Sequence, residues 1–152
     1  MKLQHDSYSC GVVALQNALR CFGKKVSERR IRAHTATKED VGTTEHGMMN
    51  AIIRVGFVGN EMKPTEELSA WELLVERLED GFPIVLSLDG GKHWATAIGS
   101  LGSDRIIVFD PNWTKENKSE NGVCIMTKKM LFGRWRQDGD GAFYGISVLR
   151  ST

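Results

Sequence analysis

Cys10 stands at the start of a predicted helix, in a position that suits a nucleophilic thiol. Apolar residues recur at helical spacing after Ser9, and this pattern predicts a helix from about residue 10 to residue 22. The first backbone N–H groups of a helix lack intrahelical acceptors, and the helix dipole favours negative charge near them. The thiolate is the reactive form of cysteine, so Cys10 is a candidate nucleophile. Cys21, eleven residues further along, is expected to pack as a small apolar group.

A glutamine that precedes the cysteine could stabilise an anion above the sulfur. Gln4 lies six residues before Cys10, close enough in sequence for its side-chain amide to reach that space. Acyl transfer needs hydrogen-bond donors where negative charge develops on the tetrahedral intermediate. The Gln4 amide and the backbone N–H of Cys10 would form such a pair. Taken alone, Gln4 is better explained as a solvated side chain near a chain end.

His93 and Asp110 stand at the ends of two predicted strands. His93 begins one strand pattern and Asp110 follows the next, with a turn predicted near residues 100–104. Adjacent antiparallel strands would place the start of the first beside the end of the second. His93 could then accept the thiol proton of Cys10, while Asp110 would orient the imidazole. Each residue alone has an ordinary explanation, His93 as a strand histidine and Asp110 as a turn former.

The hydrophobic pattern changes between the two halves of the chain. The first half predicts helices, and the second predicts mainly antiparallel strands, so we expect an α+β fold with N-terminal helices packed on a C-terminal sheet. We predict one domain over residues 1–152. The expected elements are a helix over about 10–22 with Ser7 or Ser9 as N-cap and Gly23 after it, a short helix from Ser27 to near His34, a helix ending at Gly56, a strand Phe57–Met62, a helix capped by Ser69, strands over 84–86, 94–98, 106–109 and 143–149, and a short helix around 126–132.

The composition excludes several classes of protein. The chain has 152 residues, with 20 Lys and Arg against 19 Asp and Glu, so no strong positive field favours nucleic acid as a partner. No apolar run approaches the length of a membrane span, and the first residues lack the apolar region of a signal peptide. We therefore expect a cytoplasmic protein. The odd number of cysteines predicts free thiols.

Metal and cofactor sites are not expected. The histidines His5, His34 and His46 share no metal-ligand spacing with one another or with the cysteines, and a zinc site needs about four converging ligands. No phosphate-binding loop is present between a predicted strand and a predicted helix. The sequence therefore favours chemistry carried by side chains alone.

The order of these residues resembles a known family. Gln4, then Cys10-Gly11 and a helix, then His93-Trp94, then Asp110-Pro111 is similar to the papain-like double-glycine leader peptidases that process bacteriocin precursors. The resemblance covers most of the chain and implies a papain-like cysteine peptidase fold. It also implies that Gln4 helps form the oxyanion hole, Cys10 is the nucleophile, His93 is the general base and Asp110 orients His93.

The expected function is therefore cleavage of a peptide bond through a thioester intermediate, with no cofactor and no metal. The resemblance suggests small residues such as Gly-Gly before the scissile bond, a peptide or protein substrate, and association with an export system. Three alternatives use the same triad: an isopeptidase, an acyl transferase and a deamidase. A fourth is a peptide-binding module without catalysis. The polar residues 112–141 could shape a different substrate groove.

Overall fold

The computed structural model describes residues 8–38, 42–111, 122–135 and 141–151. This part of the chain contains five α-helices and six β-strands, with three of the helices before the first strand. In chain order they are α1 (Cys10–Arg20), α2 (Glu28–Thr35), α3 (Glu45–Arg54), β1 (Phe57–Met62), α4 (Glu67–Glu79), β2 (Ile84–Leu88), β3 (His93–Leu101), β4 (Arg105–Phe109), β5 (Val123–Thr127), α5 (Lys128–Arg134) and β6 (Gly145–Arg150).

The six strands form one antiparallel sheet in the order β1-β6-β2-β3-β4-β5. Strands β2, β3 and β4 are neighbours both in the chain and in the sheet, because short turns connect them. The last strand, β6, returns between β1 and β2. As a result, the start of β3 and the end of β4 lie side by side at the same end of these two strands.

Helices cover both faces of the sheet. Strand β2 is buried along its whole length, and its side chains alternate between two apolar clusters. Val85 packs in the cluster that includes α1, α2 and α3, whereas Ile84, Leu86 and Leu88 pack in the cluster that includes α4 and α5. The predicted α+β class, with N-terminal helices on an antiparallel sheet, is confirmed, and α4 and α5 add a layer on the opposite face.

Helix α1 begins where the sequence predicts and ends earlier. Ser9 is its N-cap residue, and the helix ends at Arg20 rather than near residue 22. Gly23 has a φ of 73°, so the expected glycine exit is present just beyond the helix. The expectation that Cys21 packs as an apolar group is wrong, because Cys21 lies at the C-cap and its side chain is exposed.

Side-chain caps explain where α2 and α3 begin, but α4 begins without one. Ser27 accepts a hydrogen bond from the backbone N–H of Arg30 at the start of α2, and Thr44 accepts one from Gly47 at the start of α3. Helix α4 begins at Glu67 after the N-cap Glu66, so the prediction of Ser69 as its cap is wrong. Its buried stripe nevertheless lies on the face that the sequence predicts.

The C-terminal half contains one strand that the sequence analysis missed. Strands β2, β3 and β4 lie where the sequence predicts them, with ends that extend by one to three residues, while β6 begins at Gly145 rather than at 143. Strand β5 falls inside the segment 112–141, where only a short helix is expected. It is a mostly apolar run of five residues within a segment that is otherwise polar and glycine-rich, and three of the five are exposed at the edge of the sheet. The expected short helix is α5, shifted by two residues.

Candidate active site

The strand register brings the predicted pair His93 and Asp110 together. His93 is the first residue of β3, and Asp110 follows the last residue of β4, its antiparallel neighbour. The Nε2 atom of His93 lies 2.6 Å from Oδ1 of Asp110. Both residues are buried, with 9% of His93 and 2% of Asp110 exposed. This is the juxtaposition that the hairpin geometry predicts, and it leaves Nδ1 of His93 available for a second partner.

The N-terminus of α1 lies beside His93. Cys10 lies in the first turn of α1, is 4% exposed, and its side chain lies close enough to His93 to contribute to the raised pKa of the imidazole. Thr96 of β3 fixes the helix against the sheet, because its hydroxyl donates a 2.7 Å hydrogen bond to the carbonyl of Ala14. The structure therefore brings three of the four predicted site residues together, with the imidazole hydrogen-bonded to the carboxylate and the thiol beside it.

The charge state of His93 follows from these two neighbours. Burial lowers the pKa of His93, but the hydrogen bonds and charges of Asp110 and Cys10 outweigh it and raise the pKa from 6.5 to about 9. An imidazolium at neutral pH would sit between a carboxylate and the sulfur. Such an arrangement can stabilise a thiolate and can later supply a proton to a leaving group.

Gly11 lets the helix approach its neighbours closely beside the thiol. A methyl group at Gly11 would lie 2.6 Å from Cβ of Thr43 and 3.0 Å from Cδ1 of Trp94. Trp94 follows His93 in β3, and its indole N–H donates a 2.8 Å hydrogen bond to the carbonyl of Thr43. The residue after Cys10 is therefore held in tight packing with the residue after His93, which fixes the helix relative to the strand.

Sequence reasoning missed two charged residues at this site. Arg134, the last residue of α5, donates a hydrogen bond to Oδ2 of Asp110 at 2.9 Å. The same guanidinium pairs with Asp89 in the turn between β2 and β3. These contacts span 24 and 45 residues of sequence, and no local pattern marks them.

Gln4, the fourth predicted site residue, lies outside the described residues. The backbone N–H of Cys10, its predicted partner in an oxyanion hole, belongs to the first turn of α1, where N–H groups have no intrahelical acceptor. Within the described ranges, no three His, Cys, Asp or Glu side chains come together as metal ligands do. No helix in the described part of the chain is both long and apolar enough to span a membrane.

Comparison with known proteins identifies the family. Residues 1–143 match the Peptidase C39 like family. The chain belongs to this family. The match covers nearly the whole chain, so the resemblance inferred from the sequence is confirmed, and membership of this family supports cysteine peptidase function in general terms. No curated protein matches the sequence.

Solved structures of C39 peptidase domains share the fold. The peptidase domain of Streptococcus ComA, a bifunctional ABC transporter involved in quorum sensing, is 21% identical, with a TM-score of 0.76 over 99% of this chain and 97% of that one. A double glycine motif protease from an AMS/PCAT transporter, in complex with the leader peptide, is 16% identical, with a TM-score of 0.71 over 98% and 89%.

A third C39-like structure covers the chain completely. The putative C39-like peptidase from Bacillus anthracis is 11% identical, with a TM-score of 0.67 over 100% of this chain and 94% of that one. At these identities the likeness establishes the fold. The papain-like C39 peptidase fold predicted from the sequence is therefore confirmed.

Proposed function

We propose that this C39-like domain is an active cysteine peptidase in which Cys10 is the nucleophile, His93 the general base and acid, and Asp110 the residue that orients His93. The grouping of Cys10, His93 and Asp110 carries the proposal, because it sets a buried thiol beside a buried imidazole that is hydrogen-bonded to Asp110 and has a raised pKa. Membership of the family supports it independently. Cys21 is exposed and lies at the other end of α1 from Cys10.

The proposed reaction has two halves. The Cys10 thiolate attacks the carbonyl carbon of the scissile peptide, and Nδ1 of His93 gives its proton to the departing amine as the C–N bond breaks. A thioester to Cys10 remains. A water molecule then attacks the thioester while His93 accepts its proton. Breaking of the C–S bond releases the carboxylic acid and restores the thiolate and the imidazolium.

Asp110 has the positioning role in this scheme. Its Oδ1 atom accepts from Nε2 of His93, which places the transferable proton on the side of Cys10. For the oxyanion of each tetrahedral intermediate, we propose Gln4 and the backbone N–H of Cys10 as donors. The family resemblance supports the assignment of Gln4, and the position of Cys10 at the helix N-terminus supports that of its N–H group.

For the substrate, we propose a peptide with small residues such as Gly-Gly before the scissile bond. One structural relative is described as a double glycine motif protease solved with a leader peptide, and another belongs to an ABC transporter. By the same likeness we propose that the protein works with an export system. An amine in place of water would resolve the same thioester by acyl transfer, which is the nearest alternative activity.

The test is cleavage of a peptide pair by the wild-type protein and two matched variants. One peptide carries Gly-Gly before the scissile bond, and the other carries two bulky residues there. Cys10→Ala removes the proposed nucleophile, whereas Cys21→Ala removes an exposed thiol from the other end of the same helix. We expect cleavage of the Gly-Gly peptide by wild type and by Cys21→Ala, and none by Cys10→Ala.

Product masses separate the alternatives. Hydrolysis gives a free carboxylate, while an added amine acceptor would yield an amide if the enzyme transfers acyl groups. Equal cleavage of both peptides would overturn the Gly-Gly preference but not the peptidase. A Cys10→Ala variant as active as wild type would refute the proposed nucleophile. Binding of the peptides without cleavage by the wild type would favour a peptide-binding module.

A further inference from the structure

Asp110 has a second charged partner besides His93. Its carboxylate is almost fully buried, with Oδ1 facing Nε2 of His93 and Oδ2 accepting from a terminal nitrogen of Arg134 at 2.9 Å. The two oxygens therefore lie between two nitrogen donors on opposite sides. Rotation of the carboxylate about its Cβ–Cγ bond would break both hydrogen bonds at once.

Arg134 is itself held by a second carboxylate. Its Nε donates to Oδ1 of Asp89 at 3.2 Å, and its other terminal nitrogen donates to Oδ2 of Asp89 at 2.8 Å. This two-point contact uses the planar fork of the guanidinium, and the remaining terminal nitrogen points to Asp110. Asp89 and Asp110 raise the pKa of the guanidinium further above its ordinary value. A lysine ammonium could not reproduce this two-sided geometry.

Asp89 connects this ion pair to the backbone that leads into His93. It follows β2 directly and has a φ of 53°, a conformation that residues other than glycine rarely adopt. Gly90 and Gly91 follow with φ values of 70° and 84°, and β3 then starts at His93. The side-chain contact with Arg134 holds the turn in this conformation. Arg134 therefore contacts both the carboxylate that binds His93 and the turn that precedes it.

The packing around α5 fixes the position of Arg134. The next residue, Trp135, is fully buried, and its indole N–H donates a 3.0 Å hydrogen bond to the carbonyl of Tyr144. Its ring stacks on Phe132 with 5.7 Å between centroids and meets the edge of Phe143 at 5.5 Å. The end of α5 is thus anchored in the core, and the guanidinium extends from a rigid base.

We propose that Arg134, paired with Asp89, is a positioning residue that fixes the Asp110 carboxylate and the turn before His93, so that the imidazole is aligned with the Cys10 thiol. This inference rests on the proposed function, because it assigns a role within the same site. Arg134 acts through Asp110 and touches neither the thiol nor the imidazole.

A purely electrostatic role of Arg134 would shift the titration of His93 in the opposite direction from a positioning role. The positive charge of Arg134 lies on the far side of Asp110 and competes with His93 for the carboxylate. If charge alone mattered, removing Arg134 would strengthen the hold of Asp110 on the imidazolium, and His93 would titrate at a higher pH. If Arg134 fixes the carboxylate, its removal loosens the bond between Asp110 and His93, and His93 titrates at a lower pH.

The experiment compares Arg134→Met, Arg134→Lys and Asp89→Asn with the matched control Arg77→Met. Arg77 also joins a helix to the sheet, through bonds to the carbonyl of Asn60 and the hydroxyl of Ser147, but it is remote from the site. Each variant is measured by NMR titration of His93, by kcat and KM for peptide cleavage, and by urea unfolding. If Arg134→Met fails to fold, the same measurements on Arg134→Lys and Asp89→Asn test the inference.

We expect Arg134→Met to lower kcat by roughly 100-fold with little change in KM, because misplacement of a catalytic group by about 1 Å has effects of that order. The His93 midpoint should fall below that of wild type. Arg134→Lys and Asp89→Asn should show smaller changes in the same direction. Arg77→Met should lower stability only, with the His93 titration and kcat of wild type.

Two results would overturn the inference. The first is a His93 titration in the Arg134 variants that stays at the wild-type pH or moves to a higher one. The second is equal effects of Arg77→Met and Arg134→Met on kcat, which would show a general loss of stability. If wild type cleaved no peptide, the proposed function would be refuted, and the His93 titration would still decide the positioning role of Arg134.

Discussion

The substitution Asp110→Asn removes the charge next to His93 with little change in side-chain shape. In the wild type, one carboxylate oxygen accepts from His93 at 2.6 Å and the other accepts from Arg134 at 2.9 Å. Asparagine has a single acceptor oxygen, so it cannot serve both donors. Whichever way the amide turns, an NH₂ group faces either His93 or Arg134. The variant therefore tests both the charge and the hydrogen bond of Asp110.

The expected size of the effect follows from the surroundings of His93. Burial is the largest influence on the pKa of His93 and lowers it, while Asp110 and Cys10 raise it to about 9. Without the charge of Asp110, we expect this pKa to return to about 6.5 or below. At pH 7.5 the protonated fraction of His93 would then fall from about 97% to about 9%. We expect kcat at this pH to fall at least tenfold.

The assay is an NMR titration of the imidazole nitrogens of His93. A parallel pH profile of peptide cleavage shows whether kcat follows the protonated fraction of His93. Asp104→Asn is the matched control, because Asp104 lies in the turn of the same hairpin with an exposed side chain. A His93 midpoint in Asp110→Asn within about half a pH unit of wild type would refute the reasoning.

Two further predictions concern stability. His93 has a higher pKa in the folded chain than the ordinary 6.5, so its protonation adds to the free energy of unfolding. This contribution is complete below about pH 6.5 and is lost as the pH rises through about 9. The free energy of unfolding measured with urea should fall by about 3 kcal/mol across this pH range in the wild type and show no such fall in His93→Gln. A wild-type free energy of unfolding that does not change with pH would contradict the prediction. Gly11→Ala should lower the free energy of unfolding by about 1–3 kcal/mol, because the added methyl overlaps Thr43 and Trp94. Gly133→Ala, with no atom near its added methyl, should not be destabilised, and equal losses in both variants would contradict the packing argument.

The sequence by itself determined the local elements and the order of the candidate site residues. Ser27 predicts the start of the helix that follows it because a side-chain cap acts over only three residues, and the structure shows this cap. The strand Phe57–Met62 lies where the pattern predicts it. Even the meeting of His93 and Asp110 could be predicted, because a short hairpin fixes which residues of its two strands lie side by side.

Tertiary structure alone decided how the site is held and charged. Arg134 has no sequence signal, because its carboxylate partners lie 24 and 45 residues away and meet it only after α5 has packed on the sheet. The edge strand β5 was missed because its short apolar run lies within a polar, glycine-rich segment and partly overlaps the residues expected to form a helix. The pKa of His93 likewise depends on burial by distant elements and on two partners from different parts of the chain. Short-range spacing selects elements and turns, but burial and charge pairing arise from long-range contacts that no local pattern encodes.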